Sequence, residues 1–197
     1  MTRRMRIIAL SATLPNLADI GEWLGCRQDS THYFDESFRP VPLTVHTLSM
    51  GSMNNAFLFD KSLDERVGPL VQRYSDGKQV LIFCASKKST ESLGGLLSQR
   101  IPIPAASIAL AKSHAHLIET AQDPSLQSLL QRGVAYHHSG VCPDDRALVE
   151  QLYLLGAVYI LCCTSTLAHG VNLPAHLVII KGKLYEAIVL MKVLKSS

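Results

Sequence analysis

A chain of 197 residues that is 47% hydrophobic and 18% charged can bury a core and has room for one full domain and part of another. Its apolar runs are far shorter than the ~18 residues of a membrane-spanning helix and are interrupted by Gly, Pro and charge, so no membrane span is expected. The net charge of +3 is scattered along the sequence and permits a nucleic-acid partner without requiring one.

The N-terminus, MTRRMRIIALSATLP, imitates a signal peptide, but Ser11 cuts its apolar run short of the ~7 residues such a segment needs. Met5 to Leu10 reads instead as a buried strand ending in Ser11-Ala12-Thr13. Small hydroxyl side chains at a strand end can relay hydrogen bonds between a nucleotide site and a neighbouring lobe; a plain strand-to-helix turn is the alternative. Asn16 can cap a helix, with Asp19 near its positive end and Leu17, Ile20, Trp23 and Leu24 at helical spacing. From Cys26 to Met50 the chain is polar and Pro-punctuated, an extended stretch around Pro40 and Pro42 that leads to a linker.

A second unit begins near Asn54. Its expected elements are a helix over Asp64 to Tyr74, a buried strand over Gln79 to Cys84, and a helix over Lys87 to Gln99 weakened by Gly94 and Gly95. After Pro102 and Pro104 come helices over Ala105 to Thr120 and Pro124 to Gln131. A strand over Val134 to Tyr136, a helix over Asp144 to Leu155, and strands over Val158 to Cys163 and Leu177 to Ile180 complete the series. Strands alternating with helices predict an α/β fold built on a mostly parallel sheet. Beyond Lys181 the residues Leu184, Ile188 and Met191 have helical spacing, and the tail's structure is left open.

Three segments follow strands and carry polar groups, where an open α/β sheet binds its ligands. QVLIFCASKKSTE sets Ser86, Lys87 and Lys88 at a helix start, where free N–H groups and lysines suit a phosphate; a solvated helix start is the plainer alternative. VAYHHSGV offers His137, His138, Ser139 and Gly140, whose ring nitrogens, hydroxyl and accessible N–H can bond a phosphate backbone. Neighbouring strand histidines point to opposite faces and no third ligand follows at a familiar spacing, so phosphate contact or a buried, satisfied histidine is expected and no metal is predicted. CCTSTLAHGVNLPA carries Thr164, Ser165, Thr166, Gly170 and Asn172, and its Leu167, Val171 and Leu173 would be exposed unless the loop packs in a defined way.

Two segments mislead. Asp64-Glu65-Arg66-Val67 imitates a magnesium-binding acidic box but follows no buried strand, and is expected to form the acidic first turn of a helix. Gly77-Lys78 lacks the G-x-x-x-x-G-K-[ST] spacing that wraps phosphates. The five cysteines, Cys26, Cys84, Cys142, Cys162 and Cys163, have no C-x-x-C spacing and fit a reducing compartment.

In order, ALSATLPN, SFRPVPL, VLIFCASKKSTE, VAYHHSGV and TSTLAHGVNLPAHLVIIK resemble superfamily-two DExH helicases of the Ski-like family, over nearly the whole chain to about Gly182. FLFDKSLDERVGPLVQRYSDGKQVLIFCASKK looks most like the meiotic crossover-promoting DNA helicases, with spliceosomal and exosome-linked RNA helicases next. The resemblance implies a two-lobed RecA-like motor that closes on ATP and unwinds a duplex. Residues 1–50 would be the end of the first lobe and a linker, 51–183 an incomplete second lobe with a parallel sheet flanked by helices, and 184–197 a divergent tail.

By the same resemblance, Ser11, Ala12 and Thr13 match the motif coupling hydrolysis to unwinding. Phe83, Ser86, Lys87, His138, Ser139, Gly140, Thr164, Ser165 and Thr166 would face nucleic acid, and Gly170 and Asn172 would approach the nucleotide. His169 departs from the bulkier apolar residue usual there. The implied partners are single-stranded or branched DNA, with RNA as the alternative, and the missing first lobe, in the nucleus. The whole enzyme would use ATP and Mg²⁺. The phosphate-cradling lysine, the acidic box and the Q-x-x-G-R-x-G-R arginine fingers have no counterpart in the sequence, so this chain alone is expected to hydrolyse little or no ATP and to bind neither cofactor tightly. A noncatalytic single-strand-binding module and an inactive truncated product are the competing expectations.

Overall fold

The computed structural model describes residues 7–11, 14–49, 55–169, 173–182 and 187–193. The chain divides into two compact units, Met1–Pro40 and Val41–Ser197. In the first, α1 (Leu17–Trp23) follows Asn16, which occupies the cap position without a side-chain cap bond. The helix ends at Gly25, whose φ of +68° lets the Cys26 N–H turn back to the Gly21 carbonyl at 2.8 Å. The strand expected over Met5 to Leu10 is not found in its described part: Ile7, Ile8 and Leu10 are exposed and outside regular structure. A strand needs a neighbour for its backbone groups, and no other strand lies among the described residues of this unit.

The second unit opens with β1 (Leu43–Ser49), the stretch expected to lead into a linker, which instead joins this unit's sheet. Next is α2 (Ala56–Tyr74), capped by Asn55, whose Oδ1 accepts from the Phe57 and Leu58 N–H groups at 2.9 and 3.2 Å. This corrects the expected start at Asp64. Phe59, Leu63, Val67 and Val71 recur every four residues and are all buried, so FLFDKSL continues the apolar face of one helix. Asp64 lies in the middle of that helix, not in its first turn.

The chain continues through β2 (Val80–Phe83), α3 (Lys87–Arg100), α4 (Ala105–Ser113), α5 (Ala115–Ile118) and α6 (Pro124–Leu130). The single helix expected over Ala105 to Thr120 is two, broken at His114, whose backbone leaves the helical region (φ −106°, ψ 22°). Then come β3 (Val134–His137), α7 (Pro143–Leu154), β4 (Ile160–Cys163), β5 (Leu177–Gly182) and β6 (Ala187–Val193).

The six strands form one sheet in the order β1-β6-β5-β2-β4-β3. The array β5-β2-β4-β3 is parallel, and β6 and β1 add an antiparallel margin. Every residue of β3 and β4 is buried, as expected of parallel strands covered by helices. The helices α3, α6 and α7 pack on β3, α3 also on β4, and α2 on β5, joining Leu93, Leu97, Leu126, Leu130, Val149 and Leu152 to the strand side chains in one core.

The helical spacing noted in the tail does not produce a helix. In β6 Ile188 and Leu190 are fully buried while Val189 and Met191 are half-buried, a period of two set by pairing with β5 on one side and β1 on the other.

Candidate functional site

Parallel strands deliver their C-terminal loops to one edge. Phe83 and His137 both sit opposite Cys163 in register, so the residues following β2, β3 and β4 emerge side by side. The ladder extends one step further: the Cys84 N–H donates to the Cys163 carbonyl at 2.8 Å and the Thr164 N–H to the His137 carbonyl at 3.2 Å. Ser86, Lys87, His138, Ser139, Gly140, Thr164, Ser165 and Thr166 therefore share the carboxyl edge of the sheet.

After β2 the chain turns through Ser86 into α3. The Ser86 hydroxyl accepts from the Ser89 N–H at 3.2 Å, and Lys87 and Lys88 stand exposed at the start of a 14-residue helix. The remaining free N–H groups of that first turn and the two ammonium groups make an electropositive corner. Phe83 itself is half-buried and packs on the core.

After β3 the two histidines part. The His137 Nε2 meets Glu150 of α7 at 2.9 Å, while its Nδ1 is buried without a partner; burial lowers its pKa, against the pull of Glu150. The His138 ring is also buried, stacked on Tyr136 with centroids 5.6 Å apart. Its Nδ1 accepts from the Gly140 N–H at 3.1 Å, and its Nε2 faces Glu91 of α3 at 3.0 Å, within ion-pair reach but without hydrogen-bond geometry. His138 thus points inward and shapes the turn that exposes Ser139 and Gly140.

After β4 the chain forms a 3-10 turn, Ser165–His169. The Thr164 and Thr166 hydroxyls bond each other at 2.9 Å, and Ser165 and Thr166 are exposed. Leu167 is buried and Leu173 packs against the core, which gives these two apolar positions of the loop their place; Val171 lies outside the described residues. Ala12, Thr13, Gly170 and Asn172 lie outside the described residues, and Ser11 is an exposed residue of the first unit.

Behind this edge is a buried polar cluster that the sequence did not reveal. The Lys181 side chain, near the end of β5, is fully enclosed. Its ammonium meets Asp64, Asp60 at 3.2 Å and the Ser89 hydroxyl at 3.1 Å, and Ser89 in turn donates to Asp60 at 2.9 Å. The one sequence signal is a lysine closing the apolar run LVIIK. Burial pushes the Cys84 thiol beside this cluster up to about 12 and raises Cys162 and Cys163 as well, so these thiols stay protonated at neutral pH and are poor nucleophiles.

Gly77-Lys78 sits in the turn between α2 and β2, at the amino edge of the sheet, with Asp76 and Gly77 at φ of +51° and +69°. It is remote from the polar loops. No helix among them is long and apolar enough to cross a membrane.

The parallel array and its flanking helices define an α/β domain of RecA-like architecture, with polar loops gathered at one edge. No family model matches the chain. It is 42% identical over 184 residues to the ATP-dependent DNA helicase MER3 homolog of Oryza sativa subsp. japonica, covering 90% of this chain and 15% of that protein. It is 40% identical over 190 residues to the probable ATP-dependent DNA helicase HFM1 of Homo sapiens (93% and 13%), and 39% identical over 188 residues to the ATP-dependent DNA helicase MER3 of Saccharomyces cerevisiae (92% and 15%). The chain is thus similar to a segment of these helicases and spans roughly a seventh of their length.

Proposed function

We propose that this chain is the nucleic-acid-gripping segment of an ATP-dependent DNA helicase: the end of a first RecA-like lobe, then most of a second. The observation that carries the reading is the convergence of Ser86 and Lys87, Ser139 and Gly140, and Thr164 to Thr166 on one sheet edge. Hydroxyls, backbone N–H groups and an ammonium in that arrangement suit the phosphates of a single strand and carry no base readout. Phe83 supports the edge from beneath, and His138 acts by holding the Ser139–Gly140 turn rather than by reaching the strand.

In the complete enzyme Gly170 and Asn172 approach the nucleotide, and Ser11, Ala12 and Thr13 couple its hydrolysis to movement. ATP and Mg²⁺ belong to the joint of two lobes, so the isolated chain binds them weakly and hydrolyses little ATP. The relatives are named as ATP-dependent DNA helicases, which supports DNA as the nucleic acid; a nuclear role in meiotic recombination on single-stranded or branched DNA is part of the same proposal.

The test is fluorescence anisotropy of labelled single-stranded DNA and RNA titrated with the purified chain at two salt concentrations, with and without ATP. Binding that weakens with salt and ignores ATP supports the reading, and tighter binding to RNA moves it to the RNA helicases of the same family. A folded chain that binds neither strand overturns it.

A further inference from the structure

A buried ammonium is costly unless it is paired and hydrogen-bonded, and Lys181 is surrounded by groups from two helices: Asp64 and Asp60 of α2 and Ser89 of α3. An ammonium has three N–H groups; Asp64 and Ser89 accept from it, and Asp60 adds an ion pair at 3.2 Å. Ser89 is the branching point. Its hydroxyl accepts from Lys181 and donates to Asp60, while its backbone N–H donates to the Ser86 hydroxyl that caps α3.

A continuous polar path therefore runs from β5 and α2 into the first turn of α3, which carries Lys87. That lysine is seated at the other strand end: a Cβ on Gly140 would lie 3.4 Å from Lys87 Cδ. Apolar packing lets a helix slide or rotate by small amounts, whereas three directed bonds at one serine fix both its axial position and its rotation.

We propose that Lys181, acting through Ser89, is a positioning residue that sets the first turn of α3 so that Ser86 and Lys87 meet the phosphates of a bound single strand. The inference rests on the function proposed above. The cluster touches no ligand; it fixes the group that does.

The test is a double-mutant cycle on the chain with a labelled oligothymidylate. Lys87→Ala removes a phosphate contact and is the reference. Ser89→Ala breaks the path, and Asp60→Ala breaks it by a second route that keeps the Lys181–Asp64 pair. Ser75→Ala is the control, since it deletes an equally buried serine hydroxyl bonded to Tyr159 at 2.8 Å at the opposite sheet edge.

Ser89→Ala or Asp60→Ala should weaken binding about three- to tenfold and flatten the salt dependence by about 0.7 in the log–log slope, the share of one phosphate contact on a single strand. Combined with Lys87→Ala they should add nothing further, and Ser75→Ala should lower the melting temperature without changing affinity. Wild-type affinity and slope in a folded Ser89→Ala or Asp60→Ala protein, or losses fully additive with Lys87→Ala, overturn the inference while leaving the functional reading intact. Failure of the wild-type chain to bind the oligonucleotide overturns that reading, and this inference with it.

Discussion

Gly140 and Lys87 meet across two separate loops. A Cβ on Gly140 would lie 3.4 Å from Lys87 Cδ, an ordinary van der Waals distance, and 3.1 Å from His138 Nδ1, a tight one, so the lysine stem lies beside the His-Ser-Gly turn and the glycine leaves room for the His138 ring. Strands β2 and β3 are not neighbours in the sheet, since β4 lies between them, and this contact bridges their loops above it.

Gly140→Ala should therefore press on the His138 ring, the tight neighbour, and disturb the turn beside which the Lys87 stem lies. The expected stability loss is modest, about 1 kcal/mol, with a several-fold loss of single-strand affinity. Denaturation and anisotropy on the same sample separate the two, and unchanged affinity would show that the contact is incidental.

Lys181→Met should be severe. It leaves the Asp60 and Asp64 carboxylates facing each other without their counter-charge, a change of about 3–5 kcal/mol for a broken buried pair. Replacing all three, Lys181→Met with Asp60→Leu and Asp64→Leu, should recover most of that loss in urea unfolding, because no uncompensated charge remains. A single variant as stable as wild type would contradict the buried geometry.

Acidification should destabilise the domain through His137. Burial holds its folded pKa below the ordinary value, which is about 6.5. As pH falls through that value the unfolded chain takes up a proton that the folded chain refuses, so stability is full above it and declines down to the folded pKa. Thermal melts from pH 7.5 to 5 should show this decline, and His137→Gln should reduce its slope. An identical slope in the variant would mean that other groups dominate.

Leu190→Ala and Val189→Ala test the strand in the tail. Leu190 is fully buried and Val189 half-buried, so the first should cost about 3 kcal/mol and the second under about 1 kcal/mol. Equal costs would contradict the alternation.

Much of this arrangement could be read from the residues. VLIF and ILCC are apolar runs of strand length followed by small polar residues, and that pattern located β2, β4 and the loops that leave them. The true start of α2 was hidden because its cap, Asn55, stands before FLFDKSL, whose charges broke the apparent apolar pattern until Phe59 and Leu63 were seen on one buried face. The tail was ambiguous because Leu184, Ile188 and Met191 satisfy a helical period, while only pairing with β5 and β1 reveals the alternation of Ile188 and Leu190. The inward turn of His138 and the Lys181 cluster depend on partners far away in sequence, Glu91 in one case and Asp60, Asp64 and Ser89 in the other. No local pattern announces such pairs.

The most direct test of the central claim compares single-stranded DNA binding by three variants of the chain under one salt condition. Lys87→Ala and Thr164→Val alter the carboxyl edge of the sheet, and Lys78→Ala removes a charge from the turn at the amino edge. The carboxyl-edge variants should each lose several-fold in affinity, about 1 kcal/mol or more, while Lys78→Ala binds nearly as wild type. Equal losses in all three, or a loss only in Lys78→Ala, would contradict the claim that the strand lies across the ends of β2, β3 and β4.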